Sequence, residues 1–80
     1  MNAEQMNSRQ LEQAGWELIG PSRAAYTDGK IGAWVVCIKP DTYRITVFDE
    51  DYDFYRNETR CYSGLDAVRL AHQKILDRQT

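Results

Sequence analysis

A chain of 80 residues with 42% hydrophobic and 28% charged residues has the composition of one small globular domain rather than of a disordered chain. Ten Lys and Arg stand against twelve Asp and Glu, which argues against direct nucleic-acid binding because nucleic-acid-binding proteins carry an excess of basic residues. The N-terminus lacks the pattern of a secretory signal and no apolar run reaches about 18 residues, so we expect a cytoplasmic protein without a membrane span, with reduced thiols at Cys37 and Cys61.

The N-terminal part of the chain is predicted to form a helix over residues 3–14. This stretch consists of good helix formers, and Gly15 allows the left-handed conformation that ends a helix. Residues 16–19 follow, and Gly20-Pro21 then interrupts regular structure. We expect this segment to hold the helix against a sheet rather than to form a long strand.

The most apolar and β-branched stretch of the sequence predicts a β-hairpin in the middle of the chain. Its strands are Lys30 to Lys39 and Tyr43 to Phe48, joined by a turn at Pro40-Asp41-Thr42. An earlier strand, Arg23 to Thr27, is joined to this hairpin at Asp28-Gly29, a dipeptide typical of tight turns.

Side chains alternate along a strand, which predicts two different faces for this hairpin. The residues of the predicted core face are Trp34, Val36, Ile38, Tyr43, Ile45 and Val47. The residues of the opposite, open face are Ala33, Val35, Cys37, Arg44, Thr46 and Phe48. Gly32 indicates a bulge or the close approach of another backbone.

At least one more strand is predicted between residues 54 and 62, and a helix over residues 65–78 follows with Ser63 as its N-cap. The apolar stripe of this helix contains Leu65, Val68, Ala71, His72, Ile75 and Leu76, and Leu70 lies outside it. Residues 1–80 therefore predict one α+β domain in the order α-β-β-β(-β)-α. Its antiparallel sheet has three to four strands, with the N-terminal and C-terminal helices packed on one face.

This order of elements resembles that of double-stranded-RNA-binding domains, which place a lysine-rich cluster at the start of the last helix. Ser63-Gly64-Leu65-Asp66 occupies that position here, so the phosphate contacts of that family are missing. Its function is therefore not carried over to this chain.

Acidic residues are concentrated between residues 49 and 58, where five carboxylates accompany a single arginine. An Asp-x-Asp-x-Asp run begins like an EF-hand calcium loop, but Phe54 and Arg60 stand where that loop requires Gly and Glu, so no metal site is predicted. Interleaved aromatic residues instead favour recognition of a basic protein surface. The predicted partner-binding residues are Asp49, Glu50, Asp51, Tyr52, Asp53 and Tyr55.

Catalytic residue patterns do not stand out. His72 is the only histidine and lies within the apolar stripe of the last helix, which favours a hydrogen-bonded core or rim histidine. Neither cysteine has the local signature of a nucleophile, and no paired spacing of ligands indicates zinc. We therefore expect a non-enzymatic protein without a cofactor.

The sequence favours a protein-interaction module. One hypothesis is a small acidic inhibitor of phage or mobile-element type, which presents carboxylates to the nucleic-acid-binding surface of a partner protein. The alternative is an accessory domain that binds nucleic acid through the open sheet face at Arg44 and Phe48. A homodimer is also expected, because Leu70 and the apolar residues of the open face would form an exposed patch.

Overall fold

The computed structural model describes residues 3–51 and 54–79. In chain order the elements are a 3-10 turn Ala3–Gln5, helix α1 Ser8–Ala14, strands β1 Trp16–Leu18, β2 Arg23–Thr27, β3 Ile31–Lys39, β4 Thr42–Asp49 and β5 Phe54–Arg60, and helix α2 Gly64–Gln79. The strands form one antiparallel sheet in the order β1-β2-β3-β4-β5. The α+β prediction is thus confirmed, with five strands instead of three to four.

The additional strand is β1, in the segment that the sequence predicted only to hold the first helix. Trp16 pairs with Tyr26 and Leu18 with Ala24, which adds a short edge strand to β2. Trp16 is buried and Leu18 half-buried, while Glu17 between them is exposed. Three residues are too few for alternation to be recognised in the sequence.

The predicted N-terminal helix is divided at Asn7. The Asn7 side chain accepts a hydrogen bond from the backbone N–H of Gln10, and the Gln10 side chain accepts one from the backbone N–H of Asn7, both at 2.9 Å. This capping box starts α1 afresh at Ser8. Gly15 ends the helix as predicted, with φ of 123°.

The core lies between one face of the sheet and the helices. Its largest fully buried side chains are Leu11, Val35, Ile45, Val47 and Ile75. The predicted apolar stripe of α2 is confirmed, because all six of its members are buried or half-buried, and Leu70 lies outside it with 37% of its surface exposed. Ser63 caps the helix by accepting a hydrogen bond from the backbone N–H of Asp66.

His72 is a hydrogen-bonded core residue, as the sequence predicted. Its Nδ1 accepts a hydrogen bond from Nε1–H of Trp16 at 3.0 Å. The imidazole also packs edge-on against the rings of Trp16 and Tyr26. These contacts connect the middle of α2 to β1 and β2.

The 3-10 turn packs against α2 as well. The backbone N–H of Ala3 donates to Oε1 of Gln73 at 3.2 Å, and Nε of Arg69 donates to the carbonyl of Met6 at 2.6 Å. Ala3 and Met6 are both buried. Residues far apart in the sequence are therefore joined at this end of the core.

The predicted faces of β3 are exchanged in the structure. Ala33 pairs with Val47 and Val35 with Ile45, so these four side chains share the buried face. The reason is a register shift between Cys37 and Lys39, which leaves Ile38 as an extra residue in β3. One extra residue moves every side chain beyond it to the opposite face of the sheet.

Only half of the residues that were predicted on the core face are buried. Tyr43, Ile45 and Val47 are buried as expected, whereas Trp34 is 51% exposed. Val36 and Ile38 are only half-buried. Val35 and Cys37, predicted on the open face, lie on the core side, so they do not contribute to the exposed patch that was expected to favour a dimer.

Neither helix in residues 3–51 and 54–79 has the length and apolar character that crossing a membrane requires. Within the same residues, no group of three His, Cys, Asp or Glu side chains is arranged to hold a metal ion. Both cysteines carry free thiols.

Candidate binding surface on the open sheet face

The sheet face turned away from the helices, called the open face below, carries three neighbouring aromatic side chains. Trp34, Phe48 and Phe54 come from the adjacent strands β3, β4 and β5 and form the aromatic cluster. The ring centroids of Trp34 and Phe48 lie 5.1 Å apart, and those of Phe48 and Phe54 lie 6.0 Å apart. Phe54 is 59% exposed, so the cluster offers a large apolar surface to solvent.

Gly32 makes room for this cluster. It pairs with Phe48, which in turn pairs with Phe54. A methyl group on Gly32 would overlap the end of the Phe48 ring. The close approach that Gly32 indicated in the sequence is therefore made by an aromatic ring rather than by another backbone, and the bulge of β3 lies elsewhere, at Ile38.

Arginines continue the open face along the same strands. Arg56 on β5 lies opposite Thr46 on β4, and Thr46 in turn lies opposite Trp34 on β3. Arg23 on β2 and Arg44 on β4 lie opposite Val36, one on each side of it. Both atoms of Arg44 that bind Glu58, Nε and Nη2, donate to the same oxygen, Oε1, at 3.3 and 2.9 Å. This ion pair is about half exposed on each side.

The open face is positively charged although the whole chain is acidic. Strand alternation places Arg23, Arg44, Arg56 and Arg60 on it against Glu17 and Glu58. The net charge of the chain is −2, so the compensating acidic charge lies elsewhere. The fold therefore gathers basic residues on the open face, although acidic residues are in slight excess over the whole chain.

Two residues of the predicted acidic surface, Asp49 and Tyr55, make contacts within the protein. Asp49 is the last residue of β4, and its carboxylate accepts hydrogen bonds from Nη1 of Arg78 and from the backbone N–H of Asp51, both at 3.0 Å. Tyr55 lies below Lys74, whose Nζ is 5.1 Å from the ring centroid. Both residues therefore contact α2.

Glu50 and Asp51 are exposed, and Tyr52 and Asp53 lie outside the described residues. The partner-binding role of this loop stays a prediction. The observed intramolecular contacts of Asp49 and Tyr55 give those two residues a structural role that a local sequence pattern could not indicate.

The sequence predicted three residues of the open face correctly, Arg44, Thr46 and Phe48, and did not predict Trp34 and Phe54 there. Trp34 was assigned to the core because the bulge at Ile38 has no signal in its own sequence. Phe54 was recognised only as part of a strand, since its neighbours on β3 and β4 were assigned to opposite faces.

Comparison of this chain with protein families, with curated proteins and with solved structures finds no match. We therefore infer function from the residues of the open face described above.

Proposed function

We propose that this protein binds single-stranded nucleic acid through the open face. The supporting observation is the aromatic cluster on three adjacent strands with arginines directly beside it. Exposed rings on a sheet are suited to stacking with unpaired bases, and guanidinium groups bind phosphates. This combination is the alternative that the sequence suggested at Arg44 and Phe48.

The charge distribution suggests a direction for the bound strand. Asp49 and Glu50 lie at the end of the sheet next to Phe48, and carboxylates repel phosphates. Arg44 lies four residues from Phe48 along β4, roughly 14 Å away at strand geometry. A nucleic-acid strand is therefore expected to pass from the aromatic cluster towards Arg44 and Arg23.

The negative net charge does not exclude this activity, because binding responds to local potential. Exposed charges more than about 10 Å apart are largely screened at 0.1 M salt. The arginines of the open face would act on a strand stacked there more strongly than carboxylates on the opposite side of the domain. Weak affinity with strong salt dependence is expected.

The test is fluorescence anisotropy of labelled 12-nucleotide oligothymidylate and oligouridylate at about 50 mM salt. Trp34→Ala and Phe54→Ala should each weaken binding by roughly 5- to 150-fold, which corresponds to about 1–3 kcal/mol per stacked base. Tyr62→Ala is the matched aromatic control, because Tyr62 follows β5 and is 99% exposed without belonging to the sheet.

The arginines are tested by the salt dependence. Arg56→Gln should lower the slope of log affinity against log salt by about 0.7, the value for one phosphate contact in a single strand. Arg9→Gln on α1 is the matched control and should leave the slope unchanged. Folded protein that binds neither oligonucleotide at about 100 μM, or that binds equally well without Trp34, would contradict the proposal.

A further inference from the structure

Strand β5 is an edge strand whose outer side has no neighbouring strand among the described residues. The backbone N–H of Cys61 donates to the carbonyl of Asp41 at 3.1 Å. This hydrogen bond shows which alternate residues of β5 direct their backbone groups towards β4. In an antiparallel pair, alternate residues point their backbone groups to opposite sides. Phe54, Arg56, Glu58 and Arg60 therefore direct their N–H and C=O groups away from β4.

The order of charges along this edge is complementary to itself. If a second β5 runs antiparallel and is centred on Asn57, Arg56 lies opposite Glu58 of the second copy, and Glu58 lies opposite Arg56 of the second copy. Centring on Arg56 or on Glu58 would instead place identical charges opposite each other. A register centred on Thr59 would also place Glu58 opposite Arg60, but it would leave Phe54 and Arg56 opposite residues beyond the end of β5. The register at Asn57 therefore combines opposite charges at its centre with pairing along the whole strand.

The side chains at this edge can make the required contacts. Arg44 binds Glu58 only through Oε1, so Oε2 is available to a second arginine. Arg56 has no ion-pair partner within residues 3–51 and 54–79. Charged edge strands commonly prevent association, but that protection depends on like charges meeting, which this order avoids.

We propose that two copies of this chain associate through β5 in antiparallel, two-fold symmetric pairing centred on Asn57. The pairing would form about eight backbone hydrogen bonds and one continuous ten-stranded sheet. Helix α2 contacts mainly β3 and β4, and the residues of β5 whose backbone groups point outward, Phe54, Arg56, Glu58 and Arg60, are all exposed. This inference does not depend on nucleic-acid binding, although pairing would join the open faces of both copies.

The experiment is sedimentation velocity between about 2 and 200 μM. Wild type is expected to show a concentration-dependent monomer–dimer equilibrium. Arg56→Glu and Glu58→Arg should each weaken dimerisation at least tenfold, because each places like charges opposite each other. The double variant Arg56→Glu, Glu58→Arg should restore it, since it exchanges both partners of the pair. Arg9→Glu on α1 is the matched control.

Circular dichroism checks that every variant is folded, and loss of the exposed pair between Arg44 and Glu58 is expected to cost little stability. Wild type that stays monomeric over the whole range overturns the proposal, as does a double variant that is folded but monomeric. A dimer that Trp34→Ala abolishes and Arg56→Glu leaves intact would place the interface on the open face instead. Oligonucleotide binding by a strictly monomeric protein would refute this inference alone.

Discussion

Acid is expected to destabilise this protein through one side chain, His72. Only 5% of its surface is exposed, and its Nδ1 accepts a hydrogen bond from Trp16, so the folded protein requires the neutral imidazole. Burial lowers the pKa of His72 below its usual value of about 6.5. The chain contains no other histidine that could contribute in the same pH range.

The sign of the effect follows from proton binding. In the unfolded chain His72 takes up a proton as the pH falls through about 6.5, whereas in the folded protein it stays neutral until a lower pH. The unfolded state therefore binds more protons in this interval, and the free energy of unfolding decreases as the pH is lowered. The limiting slope for one proton is about 1.4 kcal/mol per pH unit, and integration from pH 6.5 to 5.5 gives a loss of at most about 1 kcal/mol, which is reached when folded His72 stays neutral throughout.

Urea unfolding followed by circular dichroism at pH 7.5, 6.5 and 5.5 measures this loss. His72→Gln is the comparison, because glutamine can accept the hydrogen bond from Trp16 but does not titrate. Carboxylates titrate mostly below this range and affect both proteins alike. The variant should lose less stability between pH 6.5 and 5.5 than the wild type, by up to about 1 kcal/mol. Equal pH dependence in the two proteins would refute the reasoning.

Three further outcomes are expected. Gly32→Ala should lower the free energy of unfolding by about 1–3 kcal/mol in urea titrations, because the added methyl group displaces the Phe48 ring; unchanged stability would show that the ring moves freely. Replacing Cys37 and Cys61 by Ser should leave oligonucleotide affinity within about twofold in anisotropy titrations, since neither thiol lies on the open face. Reversing the charge of Glu50 and Asp51, the exposed carboxylates of the acidic loop (residues 49–53), should tighten oligonucleotide binding at low salt. If it instead weakens capture of a basic protein partner, the loop is the working surface.

The predictions for α2, which depend on residues close together in the sequence, were confirmed, whereas the faces of β3, which depend on the register between strands, were predicted wrongly. The apolar stripe of α2 and its cap at Ser63 arise within a few residues, and both were predictable. The faces of β3 were not, because alternation carries the correct side only while the register is unbroken. Ile38 interrupts it without any change in residue type that would mark an extra residue.

The acidic loop illustrates a second limit. Its density of carboxylates indicated an interaction surface, but Arg78 contacts Asp49 from 29 residues away in the sequence. Lys74, also distant in the sequence, contacts the ring of Tyr55. A local pattern describes the charge of a segment and does not indicate which charges the fold neutralises.

The contacts between the 3-10 turn and α2 have a consequence for folding kinetics. Strand order follows chain order, so the sheet can form by successive hairpins between neighbours, whereas Arg69 and Met6 are 63 residues apart. Closing so long a loop costs conformational entropy before the contact stabilises the chain, so we expect this contact to form late in folding. Arg69→Gln is therefore expected to accelerate unfolding and to leave the folding rate nearly unchanged. During synthesis, the apolar side of β3 and β4 stays uncovered until α2 has left the ribosome, and we expect the nascent chain to be most prone to aggregation in that interval.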